Sequence, residues 1–560
     1  MENKNIGKSF AAGALILMLS NVIVKVIGAL LKIPLTDLIT LEGMLYYNSA
    51  YKIYSILFLI STTGLPIAVS RLVAKSNALG RRNEVNRIFK ITITMFAIVG
   101  TICTLIMFIF ADTFASSSSM PEANIAIRVI APTILFVCIV SAIRGYFQGH
   151  QEMLTTGLSQ LIEALMKLVI GYGAAYYAMQ KGYPLYIVAA YAISGVTIGV
   201  VLSCIFLVAV YVYKQRNPLP CTDPKSMSTK RIAKRLIMIA IPVSLTSAAL
   251  YLAGIIDVFT VVNILKGQIG EASAKLSYSA YTSITETLSN MPSSIIYGIA
   301  ISALPAVVAA LAKKNMKRAE RYMRSAMHLT LVLALPCAIG MSVLSRGIIS
   351  FVYSSSTTST IIERLENGSI VTSLDVSATA LSILALGIVF ITMYSTTNAL
   401  MQSNGLEWYT IISVLTGIVV KLVFSLILLN IPAIGLYGAP IGTVFCYVAA
   451  VFMNNRFLRL KAGVRLNLIN LAVKPLIAAI GCGSGAYIAY NALIHIIGNG
   501  GRLQNAVAVA VAMLFGAFIY AFVLLLIKGL PEHEVKLLPK GEKIFSLLVK
   551  LGFMEARKNA

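Results

Sequence analysis

Ionisable side chains set inside long apolar runs are the residues here whose type and placement could do chemistry. Lys25 and Lys52 stand in the first two such runs, Glu163 and Lys167 in the fifth, Asp257 in the seventh, Glu286 in the eighth, Arg346 in the ninth and Lys421 in the eleventh. A charge in such a run is costly unless it meets water, a partner or a cargo, so each is a functional candidate. At about 1.5 Å per residue, Lys25 and Lys52 fall at similar depth in the outer part of a bilayer. Neither has a carboxylate one turn away on its own run. These two cations, with Lys421 and with Arg71 at the end of the second run, suit an anionic cargo. A phosphate or pyrophosphate is the obvious choice, and a bare organic cation would be repelled. Glu163 and Lys167, four apart, share a helix face and read either as a structural pair or as part of a ligand site. Asp257 and Glu286 read either as sites for a coupling Na+ or H+ or as neutralising partners of lysines. Arg128, Arg346, Asp375 and Lys474 read as side chains reaching toward an interface.

The elements that carry these residues follow from composition. The chain has 560 residues, of which 58% are hydrophobic and 12% charged, about half the usual charged share, and its mean hydropathy is +0.84. That balance excludes a soluble enzyme, a disordered chain, a disulfide scaffold and an outer-membrane barrel. It predicts an all-α polytopic membrane protein, since each span needs about 20 apolar residues. Fourteen spans are expected near 10–31, 45–70, 89–111, 125–147, 155–178, 184–213, 236–263, 277–311, 325–353, 374–401, 408–429, 435–455, 467–493 and 504–527. Pro292 and Pro305 predict that the eighth is bent or lies partly outside the hydrocarbon. Cysteines 103, 138, 204, 221, 337, 446 and 482 are scattered and read as packing residues.

The net charge of +25, from 46 Lys and Arg against 21 Asp and Glu, reads as loop asymmetry and not as nucleic-acid binding. Basic clusters fall in the segments 71–90, 214–235 and 312–324, which sets these loops and both termini in the cytoplasm. The basic tail 528–560 reads as lying on anionic lipid or, in a non-transporting scaffold, as docking partners. An internal repeat is also visible. A shift of 254 pairs Ser141 with Ser395, Gln148 with Gln402, Thr156 with Thr410 and Lys167-Leu168-Val169 with Lys421-Leu422-Val423. A shift of 239 pairs Leu65-Pro66 with Leu304-Pro305 and Lys75 with Lys314. Two six-helix lobes of like orientation, 1–220 and 228–458, are therefore expected around a central cavity, followed by helices in 467–527. Alternating access is the mechanism such an architecture suggests.

The chain carries no GxSxG, HExxH or phosphate-loop pattern, and histidines 150, 328, 495 and 533 are far apart. It is expected to be no enzyme, with no metal, cofactor or ATP site.

The segment Gly64-Leu65-Pro66-Ile67-Ala68-Val69-Ser70-Arg71-Leu72-Val73-Ala74-Lys75 resembles the second-helix motif of the polysaccharide-transporter members of the multidrug/oligosaccharidyl-lipid/polysaccharide (MOP) exporter superfamily. Arg144-Gly145-Tyr146-Phe147-Gln148-Gly149, followed by Ser159-Gln160-Leu161-Ile162-Glu163, is similar to their fourth-to-fifth helix junction. The likeness is to the stage V sporulation protein B and Gram-positive lipid II flippase branch, and it spans the chain to about 527. It implies export of a polyprenyl-pyrophosphate-linked saccharide, with lipid II the foremost candidate, by a monomer. It also implies that cations of the first two helices contact the pyrophosphate. Lys25 and Lys52 match that placement as lysines where arginines are familiar, and Glu286 stands in the eighth helix where a cation is familiar. The last two helices are implied to hold the prenyl tail. The alternative within the superfamily is a cation-coupled multidrug antiporter.

Overall fold

Long apolar runs have one way to satisfy their own backbone groups without water or a closed barrel, and that is the helix. The computed structural model describes residues 2–531 and 549, other than 63, 79–80, 119, 151, 216–226, 313–314, 365–368 and 499–500. Almost all of it is helical. The first helices are α1 Glu2–Thr62, α2 Gly64–Ala78, α3 Arg82–Ile109, α4 Ala111–Ser117, α5 Asn124–Ile130 and α6 Thr133–Gly149. They are followed by α7 Met153–Gln180, α8 Leu185–Gln215, α9 Thr229–Ile269 and α10 Glu271–Ala280. A π-helical turn, Tyr281–Thr285, leads into α11 Glu286–Ala312. Then come α12 Met316–Val343, α13 Ser345–Val352, α14 Ser355–Thr358, α15 Ser373–Ser403, α16 Glu407–Leu429, α17 Gly438–Lys461, α18 Leu468–Ile497 and α19 Arg502–Leu526. The β-structure among the described residues is a two-stranded antiparallel hairpin, β1 Ile361–Arg364 with β2 Ile370–Thr372.

Ten helical segments among the described residues are long and apolar enough to cross a membrane. The four other expected spans fall on the two limbs of α1, on α9 and on α10–α11. Helices outrun the apolar windows at several ends. Arg71 and Lys75 lie on α2, and Lys317, Arg318, Arg321 and Arg324 lie on α12, because Lys and Arg are good helix formers that keep the backbone bonded beyond the hydrocarbon. The expected loop between the first two spans is helical, broken only by a kink at Thr40 with φ 63° and ψ 177°. In the eighth span, where the prolines predict a bend, the regular α-helix gives way to a π turn at Tyr281–Thr285, ahead of Pro292. Cys221 and the tail lysines beyond 531 lie outside the described residues, as does most of the linker between the expected lobes.

The chain divides into two units, one of Met1–Ser283 with Leu429–Leu436, the other of Ile284–Leu428 with Tyr437–Ala560. The division falls within the π turn, at a different place from the repeat boundary near 220–228, because α9 packs against α1, α2 and α3, and α10 against α1. In the first unit Phe89, Val137, Ile143, Phe147, Val200 and Leu207 form a core between α3, α6 and α8. Pro132 interrupts the run before α6 and supplies no backbone donor. Hydroxyls from neighbouring helices bind carbonyls beside this break: Thr197 Oγ1 donates to Val129 O at 3.1 Å and Thr104 Oγ1 to Ala131 O at 3.2 Å. Close backbone approach fixes α7 on α8, since a Cβ on Gly195 would stand 2.4 Å from Gly171 Cα. In the second unit α18 and α19 pack through Gly481 and Gly485 against Ile519. Ile480, Ile488, Leu514 and Phe518 of these helices remain exposed, as suits a surface facing lipid.

Candidate functional site

The second limb of α1 carries two different faces. Tyr47, Tyr51, Tyr54 and Phe58 recur at intervals of four, three and four residues, so they stack along one side. Adjacent rings lie 6.1, 5.8 and 5.5 Å apart, centre to centre. Asn48 and Lys52, one residue further round, face α10 and the π turn. Lys52 Nζ donates to Tyr278 Oη at 2.9 Å and stands 5.0 Å from that ring's centre. Asn48 Nδ2 donates to Ser283 Oγ at 2.8 Å and to Thr282 Oγ1 at 3.3 Å. From the first limb, Lys32 Nζ donates to the Thr282 carbonyl at 2.8 Å, and Ser279 Oγ donates to the Leu41 carbonyl. A π turn departs from the regular backbone ladder, and here Lys32 binds one of its carbonyls. Tyr278, Ser279, Thr282 and Ser283 are all buried. Hydroxyls and ammonium groups thus meet inside the first unit, in a form that can donate to an anion's oxygens.

The ion pair that Glu163 makes differs from the one that helical spacing predicts. Glu163 does not pair with Lys167. Its Oε2 accepts from Arg144 Nη2 at 2.9 Å. Arg144 also donates to Ser159 Oγ at 2.8 Å and to Ser203 Oγ at 3.2 Å, so α6, α7 and α8 are joined by one guanidinium. The reason is geometric. α6 continues to Gly149, which holds Arg144 within the helix. Gly145 lets α6 approach α2 so closely that a Cβ there would lie 2.9 Å from Pro66 O. Lys167 turns instead to Tyr51, with Nζ 4.5 Å from the ring centre and 3.5 Å from the hydroxyl.

The remaining candidates lie elsewhere. Lys25 is exposed on the first limb of α1, Arg71 is exposed on α2, and Asp257 is buried on α9. Glu286 is half-buried at the start of α11 and Lys421 is buried on α16, both in the second unit. Of the interface candidates, Arg128 pairs with Asp112 at 2.7 Å and Arg346 with Asp375 at 2.9 Å, while Lys474 Nζ donates to the Lys528 carbonyl at 3.1 Å. No cluster of three or more metal-ligating side chains occurs among the described residues. Sequence reasoning missed the partner role of Arg144 and the whole tyrosine face. The signals were present in the Arg144-Gly145 motif and in the spacing of residues 47, 51, 54 and 58.

Several known proteins resemble this chain along nearly its whole length. It is 25% identical over 536 residues to the uncharacterized membrane protein YabM of Bacillus subtilis, covering 95% of each chain. It is 25% identical over 532 residues to the lipid II flippase MurJ of the same organism, covering 91% of this chain and 94% of that one. Among solved structures, an inward closed lipid II flippase MurJ superposes with a TM-score of 0.63 at 13% identity, covering 92% of this chain and 97% of the other. An inward-facing MATE family transporter of the MOP superfamily superposes with a TM-score of 0.61 at 17% identity, covering 80% and 98%. These likenesses share one all-helical membrane fold. Residues 10–311, more than half of the chain, match the family described as "Polysaccharide biosynthesis protein", and the chain belongs to that family.

Proposed function

We propose that this protein is a flippase that exports a polyprenyl-pyrophosphate-linked saccharide, foremost the peptidoglycan precursor lipid II, across the cytoplasmic membrane. It works by alternating access, as a monomer with both termini in the cytoplasm. The observation that carries this reading is the donor cluster on α1. Lys32, Asn48 and Lys52 meet Tyr278, Thr282 and Ser283, a set of ammonium, amide and hydroxyl groups suited to phosphate oxygens. The relative named as a lipid II flippase, aligned over 91% of this chain, supports the same cargo. Lys25, Lys52 and Arg71 of the first unit supply cationic contacts to the pyrophosphate, and Lys421 of the second unit is a further cationic candidate. The exposed apolar faces of α18 and α19 hold the prenyl tail, which has no place beside charged groups. Asp257 and Glu286 take part in coupling to Na+ or H+, or balance the lysines.

Complementation tests the reading. Wild-type protein is expected to rescue a cell depleted of its lipid II flippase, while Lys52→Ala and Lys25→Ala accumulate in the membrane and fail to rescue. Full rescue by both variants would remove the pyrophosphate role of the two lysines. Rescue of drug efflux, with no rescue of wall synthesis, would favour the antiporter instead.

A further inference from the structure

Within the first unit the cations are held in unequal ways. Arg144 is committed: it spans α6, α7 and α8 through Glu163, Ser159 and Ser203. Lys167, one turn from Glu163, makes no carboxylate ion pair among the described residues and rests against the ring and hydroxyl of Tyr51. An ammonium on a tyrosine face is held by only about 0.5–2 kcal/mol. Its hydroxyl contact at 3.5 Å is at the limit of a hydrogen bond. Such a group exchanges its neutral partner for a phosphate oxygen at little cost, whereas Arg144 would have to abandon a half-buried carboxylate and two serine hydroxyls. Lys167 and Tyr51 are both half-buried, between the sealed core and the surface. Tyr51 is itself fixed between Tyr47 and Tyr54.

We propose that Lys167, held in readiness by Tyr51, is a phosphate-binding residue for the polyprenyl-linked pyrophosphate, on a helix separate from the α1 lysines. This rests on the flippase reading and adds to it a contact from α7. The ammonium leaves the ring and donates to a phosphate oxygen, and Tyr51 Oη follows as a second donor. Glu163 stays neutralised by Arg144, so it neither captures the lysine nor repels the anion.

The test measures binding of undecaprenyl pyrophosphate to the full-length protein in neutral-lipid nanodiscs, beside undecaprenol and inorganic pyrophosphate. Lys167→Met is expected to bind undecaprenyl pyrophosphate about tenfold more weakly, the loss of one charge-assisted contact, with an unchanged melting temperature. Lys167→Arg should stay within about threefold of wild type, because the charge remains. Wild-type affinity in Lys167→Met, together with loss in Lys52→Ala, would overturn the role of Lys167 and leave the flippase reading standing. Equal binding of undecaprenol and undecaprenyl pyrophosphate by wild type would overturn both. Should Lys167→Met fail to fold, amine footprinting of wild type replaces it. Protection of Lys167 by undecaprenyl pyrophosphate supports the assignment. No protection, or equal protection by phosphatidylglycerol alone, refutes it.

Discussion

Replacing Arg144 by methionine should destabilise the protein and, separately, silence Lys167. The arginine makes one ion pair and two hydroxyl contacts, and its side chain is 16% exposed against 31% for Glu163. Removing one member of a buried pair typically costs about 3–5 kcal/mol, and the residual exposure of the carboxylate reduces this to roughly 2–3 kcal/mol. Arg144→Met is therefore expected to unfold at a clearly lower temperature or denaturant concentration than wild type. Arg144→Met with Glu163→Met should recover at least half of the loss, because two apolar groups leave no buried charge behind. The second effect is on ligand binding. With the arginine gone, Glu163 has Lys167 one helical turn away and can draw the ammonium from Tyr51. Undecaprenyl pyrophosphate binding should then fall in Arg144→Met and return in the double variant. A melting transition unchanged in Arg144→Met, or a double variant no more stable than the single, would refute the pairing as a source of stability.

Three further outcomes follow from the packing and the α1 junction. Gly195→Val should fail to accumulate in the membrane, since its Cβ would overlap Gly171, whereas Gly173→Ala, with nothing near its added methyl, should gain about 0.5–1 kcal/mol; immunoblotting and thermal melts distinguish them. Tyr278→Phe keeps the ring beside Lys52 but loses the hydroxyl acceptor, so transport should fall about two- to tenfold, the worth of one hydrogen bond, in a vesicle flipping assay. Deleting 531–560 should leave complementation intact if the basic tail rests on anionic lipid and docks no partner; loss of complementation would favour docking.

Much of this fold can be read from the amino-acid order alone. Each apolar run is helical along most of its length, though the second, fourth, eighth and ninth are divided between successive helices, because hydrocarbon leaves the backbone no other partner. What escaped was continuity and choice of partner. The kink at Thr40 and the π turn at Tyr281–Thr285 carry no Gly or Pro, so nothing in hydropathy marks them. Glu163 and Lys167 satisfy the helical pairing rule, yet a guanidinium on α6 reaches the carboxylate with two serines in support, and only tertiary packing reveals that competition. Lys52 was legible as a cation in an apolar run. Its acceptor lies 226 residues away on α10, beyond any local pattern.

The central claim is that the cargo is a polyprenyl-linked pyrophosphate held through the lysines of α1. Its most direct measurement is transfer of fluorescent lipid II between leaflets of proteoliposomes containing wild type or Lys52→Ala. Wild type should move lipid II faster than protein-free vesicles, and Lys52→Ala at equal reconstitution should move it no faster than the empty membrane. Equal rates for wild type and the variant would contradict the account, as would a wild-type rate matching protein-free vesicles.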